Sequence, residues 1–271
     1  MTSTDHFEHD GVQVFRFGYS PVGRPYLFVN LYYVDGLLID TGQRWARKQI
    51  QQKLSELDVQ QIYITHHHED HTGNIPELRA QFSCPVYAPE RCCEVMKSPP
   101  SISVAQWLTW GPRPAYHHLL ALDGQLQTPS HTFSIVPIPG HASDMVALYE
   151  PDRKWLFSAD LYLNSYIGYY LKNERMSQQI ASLKRALALD FKVLFCAHNP
   201  QFTDGREKLQ RKLHFLEDFY GSVSHWYKQG YQTNEIYRIM NLKEHGLIHL
   251  LSRGELSKLN MVRSVIRDIE S

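Results

Sequence analysis

The stretch Gln61-Ile62-Tyr63-Ile64-Thr65-His66-His67-His68-Glu69-Asp70-His71-Thr72-Gly73 decides how this chain is read. Its first half is a short run of β-branched and aromatic residues, which predicts a strand over Gln61 to Thr65. Its second half carries the pattern H-x-H-x-D-H at the C-terminal end of that strand, where an α/β sheet places its ligands. In a nearly extended loop, residues two apart point the same way. His66 and His68 can therefore face one metal while His67 points away. Asp70 and His71, where the chain turns, can serve a second metal nearby. Imidazole with carboxylate suits zinc or iron. His67 and Glu69 read as solvated spacers.

One cluster cannot fill two coordination shells, and three further strand ends supply what is missing. Pro139-Gly140-His141 follows a strand over Phe133 to Ile138. Ser158-Ala159-Asp160 follows one over Trp155 to Phe157, and Cys196-Ala197-His198 one over Val193 to Cys196. Scattered core histidines would not choose that place each time. Around these strands the chain alternates. Asp35-Gly36 is a hairpin signal leading into Leu37-Leu38-Ile39, and helical spacing is expected over Arg44 to Leu57, Pro76 to Phe82 and Glu174 to Leu189. Strand–helix alternation marks an α/β layered fold.

Other segments have a different character. Residues Pro99 to Pro114 hold four prolines and two tryptophans, which predicts an irregular insertion, either a lid or a packed excursion. His117 and His118 read as surface decoration. Everything after Gly205 reads as helix: Thr233 is a cap for a helix through Ile236 and Ile239, and Ser252-x-x-Glu255 is a capping-box pattern. The tail reads as a helical cap that closes the core or makes a dimer contact, or else as a helix-turn-helix-like or winged-helix-like appendage. Every ligand candidate lies upstream of it, so its removal is expected to spare metal binding.

Bulk composition excludes little but is consistent. Lys and Arg number 28, as do Asp and Glu, so no global field draws a polyanion or an acidic membrane. Apolar residues at 43% provide for a core. No run is long enough to span a bilayer, and the polar stretch Met1 to Gly11 is unlike a secretory signal. Cys84, Cys92, Cys93 and Cys196 form no disulfide framework and read as buried thiols. A cytoplasmic location is the expectation.

The ordered set H-x-H-x-D-H, Gly-His, Asp, His, each element after a strand, resembles the metallo-β-lactamase superfamily over roughly Val12 to Pro200. The resemblance implies a four-layer αβ/βα sandwich, with residues 1–204 as the catalytic domain and 205–271 as a helical extension, possible winged-helix character included. It implies that His66, His68 and His141 hold one metal and Asp70, His71 and His198 a second, with Asp160 bridging. Asp40, in Ile39-Asp40-Thr41-Gly42, matches the acidic residue the family keeps beside the site. The implied cofactors are two divalent metal ions, zinc first because it needs no redox partner, with iron or manganese as alternatives.

The implied chemistry is hydrolysis of a small ester, thioester or lactone by a hydroxide bridging the two metals, in the manner of glyoxalase II-like metallohydrolases. Asp70 is the catalytic residue, accepting a hydrogen bond from the nucleophile and shuttling its proton. Tyr166, Tyr169 and Tyr170 are candidate donors to the developing oxyanion, or else a packed aromatic strip. Glyoxalase II enzymes carry a Cys-Gly-Arg-like stretch soon after the bridging aspartate. Leu161-Tyr162-Leu163-Asn164-Ser165 has no such match, which weighs against glutathione thioesters. The alternatives are an endoribonuclease or phosphodiesterase of the same fold and a mononuclear iron dioxygenase acting on persulfides. The expected partner is a small-molecule substrate. Nucleic acid is a less favoured partner, and a homodimer through the C-terminal helices is open.

Overall fold

A computed structural model of the protein describes residues 1–244 and 252–271. Seven strands form one sheet in chain order: β1 (Thr2–His9), β2 (Val12–Tyr19), β3 (Phe28–Val34), β4 (Leu37–Ile39), β5 (Gln61–Tyr63), β6 (Val86–Ala88) and β7 (Leu120–Ala121). The first four pair antiparallel, and β4 to β7 pair parallel. A second sheet of five strands has the order β12 (Val193–Cys196), β11 (Trp155–Ala159), β10 (Val146–Glu150), β9 (Thr132–Pro137), β8 (Gln125–Gln127).

Two-residue periodicity stacks these sheets. Leu37 and Ile39 pack into the apolar layer between the sheets, while Leu38 points to the opposite face. Tyr63 likewise faces the second sheet, and Ile62 and Ile64 face outward. Trp155, Phe157, Val193 and Phe195 face the first sheet from β11 and β12, with Leu156, Leu194 and Cys196 on the other side. Each central strand is therefore apolar on both faces, and helices cover the outer ones. On the first sheet lie α1 (Arg47–Leu54), α3 (Ile75–Phe82) and α4 (Glu90–Lys97), through Ile50, Leu54, Ile75, Leu78, Cys92 and Met96. On the second lie α6 (Met176–Leu187), α7 (Gly205–Lys228), α8 (Thr233–Ile239) and α9 (Lys258–Glu270). Three apolar layers between four layers of secondary structure give the αβ/βα sandwich.

Asp35-Gly36 turns as its sequence demands, with φ of 49° and 80°. Asp10-Gly11 makes the same turn between β1 and β2, at 52° and 83°. That hairpin brings in β1, an edge strand whose Thr2 to His9 pair residue by residue with Tyr19 to Val12. Its polar, exposed face gave no strand signal.

Three further expectations change. The proline-rich insertion contains a helix, α5 (Val104–Trp110), started by Ser103 as N-cap with Gln106 reaching back in a full capping box. Ser252 and Glu255 sit in a turn instead, closed by Glu255 N–H to Ser252 C=O at 3.0 Å; α9 starts later, with the Ser257 hydroxyl accepting from Leu259 N–H. Part of the all-helical tail, residues 245–251, lies outside the described residues. Glu174 precedes its helix, because the first N–H groups of α6 are capped from α9: Met176 N–H donates to Ser264 Oγ and Ser177 N–H to Asp268 Oδ2, both at 2.8 Å.

Candidate metal centre

The seven predicted residues converge at one end of the two sheets. Beyond β5, Ile64 and Thr65 lead to His66, and a single helical turn, α2 (Glu69–Thr72), carries Asp70 and His71. From the second sheet, β11 delivers Asp160 and the segment after β12 delivers His198. Pairing of β11 with β12 slips between Phe157 and Ala159, and such a bulge re-aims the strand end. Ala159 there holds φ at 45° and Asp40 at 64°, left-handed conformations that cost a non-glycine residue about 1 kcal/mol. His141 follows Gly140, whose φ of 131° and tight contact with α6 admit no side chain: a Cβ there would lie 2.5 Å from Gln179 N.

The donors form two groups that share one carboxylate. His66, His68, His141 and Asp160 each offer an atom within 4.8 Å of the others, and so do Asp70, His71, Asp160 and His198. His141 Nε2 lies 3.0 Å from His68 Nδ1 and 3.3 Å from Asp160 Oδ2. His71 Nε2 is 3.1 Å from Asp160 Oδ1, and His198 Nε2 is 3.3 Å from both Asp70 Oδ2 and Asp160 Oδ2. His66 Nε2 is buried and has no hydrogen-bond partner, and His71 Nε2 and Asp160 Oδ1, also buried, meet only each other, at 3.1 Å and without hydrogen-bond alignment. Buried polar atoms are rarely left so. Buried donor atoms left without aligned hydrogen bonds, in two groups that share Asp160, fit a pair of cations.

The surroundings fix which nitrogen faces inward. Asp40 Oδ2 is 2.7 Å from His71 Nδ1, and its carboxylate also accepts from Thr65 N–H at 2.8 Å. The Phe28 carbonyl lies 2.7 Å from His198 Nδ1. On His141 the Nδ1 side meets Glu174 Oε1 at 3.5 Å. Each contact occupies one ring nitrogen and leaves the other for the centre.

Electrostatics divide the histidines. Burial, helped by neighbouring imidazoles, pushes His66 and His68 well below the usual histidine range, so they are neutral and ready to ligate. Burial opposes protonation of His141 and His198 as well, but Glu174 and Asp160 outweigh it for His141, and Asp160 and Asp70 for His198, and both rise to about 10. Burial would likewise raise Asp160, yet the imidazoles of His198, His71 and His141 hold its carboxyl well below the carboxylate range. Imidazolium–carboxylate pairing thus balances charge among these side chains, and uptake of a cation there would release protons.

His67 is no solvated spacer. It is buried, with its N–H donating to Asp144 Oδ2 at 2.9 Å and its Nδ1 2.7 Å from Asp144 Oδ1. Glu69 is buried too; burial and the adjacent Asp70 push its carboxyl up to about 7, against Arg113 and Gln106. Arg113 donates to the His67 carbonyl at 2.9 Å, so the insertion pins the histidine loop. Trp110 of α5 stacks beside His198, ring centres 5.7 Å apart. Sequence reasoning missed Asp144 and Arg113, and Trp110 lies in the insertion that it read as a lid or a packed excursion; only the Ser103-x-x-Gln106 spacing could have revealed α5.

A cavity of about 470 Å³ opens over the centre. His68, Asp70, His141, Asp160 and His198 line its floor, with Tyr166, Tyr169 and Tyr170 around it. Tyr166 is exposed, whereas Tyr170 is buried with its hydroxyl unpartnered. His117 and His118 are exposed and line no part of the cavity.

Such a centre on such a sandwich defines a class. Residues 24–198 match the metallo-beta-lactamase superfamily, and the chain belongs to it. A hydroxyacylglutathione hydrolase from Bdellovibrio bacteriovorus is 32% identical over 148 residues, which are 54% of this chain and 51% of that protein. The enzyme of the same name from Nitrosomonas eutropha is also 32% identical, over 54% of this chain and 50% of its own length. The chain thus spans about half the length of these curated relatives. Among solved structures, a beta-lactamase domain protein from Burkholderia ambifaria has a TM-score of 0.69 at 16% identity, covering 98% of this chain and 88% of that one. The fold likeness therefore extends into the C-terminal helices. Among the described residues, no helix is long and apolar enough to cross a membrane.

Proposed function

We propose that the protein is a metal-dependent hydrolase of small esters, thioesters or lactones, working with two divalent metal ions, zinc in the first place. The observation that carries this is the sharing of Asp160 between two four-donor groups. His66, His68 and His141 would hold one ion, Asp70, His71 and His198 the other, and Asp160 both. When bound, such a pair supplies an activated water and an electrophile for the substrate carbonyl.

The chain's own residues do the rest. Asp70 accepts the proton of the attacking water and passes it to the leaving group. Asp40 and the Phe28 carbonyl hold His71 and His198 in orientation, so nothing needs to reorganise during turnover. Trp110 shields the His198 side from water, and the cavity's size suits a small molecule rather than a polymer. In this reading residues 1–204 are the catalytic part and the helices from Gly205 onward support it.

Elemental analysis of the purified protein tests the assignment. About two zinc ions per chain, with metal and ester or thioester hydrolysis both lost in Asp160→Ala, is the expected result. Iron as the main metal, or unchanged turnover in the variant, would overturn it.

A further inference from the structure

The wall of the cavity carries information that its metal floor does not. Leu27 comes from the connection between β2 and β3, Trp110 from α5, Leu163 and Ile167 from the segment after Asp160, and Leu256 from the turn before α9. Four separate stretches of chain thus bring apolar side chains to one surface. At the mouth stand Tyr26 and Tyr166, 92% and 70% exposed. Large rings left in water beside a cavity are what an apolar ligand would cover.

Positive charge on that wall is scarce, while Glu69 and Glu174 also line it. Among the described residues lining the cavity, Lys212 is the one lysine or arginine. Its ammonium is buried, donates to the Leu161 carbonyl at 2.7 Å, and lies in the field of Glu174 and Asp160. That charge is answered from within the protein. A substrate bearing carboxylates at a distance from its reacting carbonyl would press them against Leu163, Ile167 and Leu256, on a wall that already carries Glu174. A carboxylate buried there without a partner loses its hydration uncompensated.

We propose that the cavity selects uncharged esters or thioesters with an alkyl or aryl acyl chain and discriminates against carboxylate-bearing thioesters such as hydroxyacylglutathiones. The inference rests on the hydrolase reading above. Water adds across the acyl–sulfur or acyl–oxygen bond, giving a carboxylic acid and a thiol or alcohol; nothing is oxidised or reduced. The aromatic rim and the leucine and isoleucine wall take the chain, while the carbonyl lies over the histidines.

The zinc-loaded full chain would be assayed on thioesters of N-acetylcysteamine, an uncharged thiol, from acetyl to octanoyl, beside lactoylglutathione, reading released thiol. Specificity kcat/KM should climb about fourfold per methylene while the chain is being buried, leaving lactoylglutathione far behind octanoyl. Two variants follow the wall itself: Tyr166→Ala, at a largely exposed ring whose edge-on contact is with Phe215, should flatten the climb. Ile167→Lys should narrow the gap in favour of lactoylglutathione. A flat series, or lactoylglutathione as the better substrate, would overturn the inference while leaving the hydrolase reading intact. No hydrolysis of any thioester or ester by the zinc-loaded chain would overturn that reading and this inference with it.

Discussion

At the scale of single residues, the centre depends on side chains that never touch a metal. Asp40 holds His71 through a 2.7 Å contact and is itself locked by Thr65. Replacing it with asparagine keeps the shape but loses the charge that favours one His71 tautomer. Asp40→Asn should weaken metal binding 10- to 100-fold, the usual effect of losing such a partner, and chelator competition would show it. Lys212 offers a test of burial. Its pKa falls from the ordinary 10.5 to about 8, chiefly through desolvation. Because the unfolded chain binds this proton more tightly, the group's contribution to stability is least favourable below pH 8 and improves as pH rises toward 10.5. Wild type should therefore gain on Lys212→Met over that window, by on the order of 3 kcal/mol, in urea melts run at each pH. A constant difference would mean that burial leaves the Lys212 pKa at its ordinary value, so that the group stays charged throughout the window.

At the scale of elements, what the sequence showed and what it hid follow one rule. Strands apolar on both faces, such as Leu37–Ile39 and Val193–Cys196, announced themselves, and so did the ligands placed at their ends. A ligand needs a fixed backbone, and fixed backbone at the end of a buried strand has a visible apolar signature. Elements held by partners distant in sequence left no such trace. His67 looked like a spacer because its partner, Asp144, lies on a different loop. β1 is a different case: its partner β2 is adjacent through Asp10-Gly11, but its polar, exposed residues carry no apolar alternation. Gly140 belongs to the legible class. Its φ of 131° and the 2.5 Å approach to Gln179 N bind the His141 loop to α6. Gly140→Ala must force these apart at a cost of about 1–3 kcal/mol from backbone strain alone. The variant should melt earlier and lose metal from the group containing His141 before the other, visible as a fall toward a single bound ion per chain.

At the scale of the whole molecule, the question is whether residues after Gly205 are an appendage or part of the catalytic body. Their position downstream of every ligand suggests an appendage. Packing argues otherwise. Met261, Val262, Val265 and Ile266 of α9 are buried to 7% exposure or less in the same apolar layer that backs β10, β11 and β12. The helix also caps α6, and Ser264 Oγ donates to the Glu174 carbonyl at 2.9 Å, one residue's reach from the carboxylate beside His141. Four buried side chains at about 1.5–3 kcal/mol each amount to roughly 6–12 kcal/mol, comparable to the roughly 5–15 kcal/mol that holds a whole domain together. Truncation after residue 257 should thus unfold the second sheet and abolish metal binding, even though all seven donors remain. Circular dichroism and metal content of the truncated chain would check this. A shortened chain that melts cooperatively and keeps both ions would show that α9 adds to a body already complete without it.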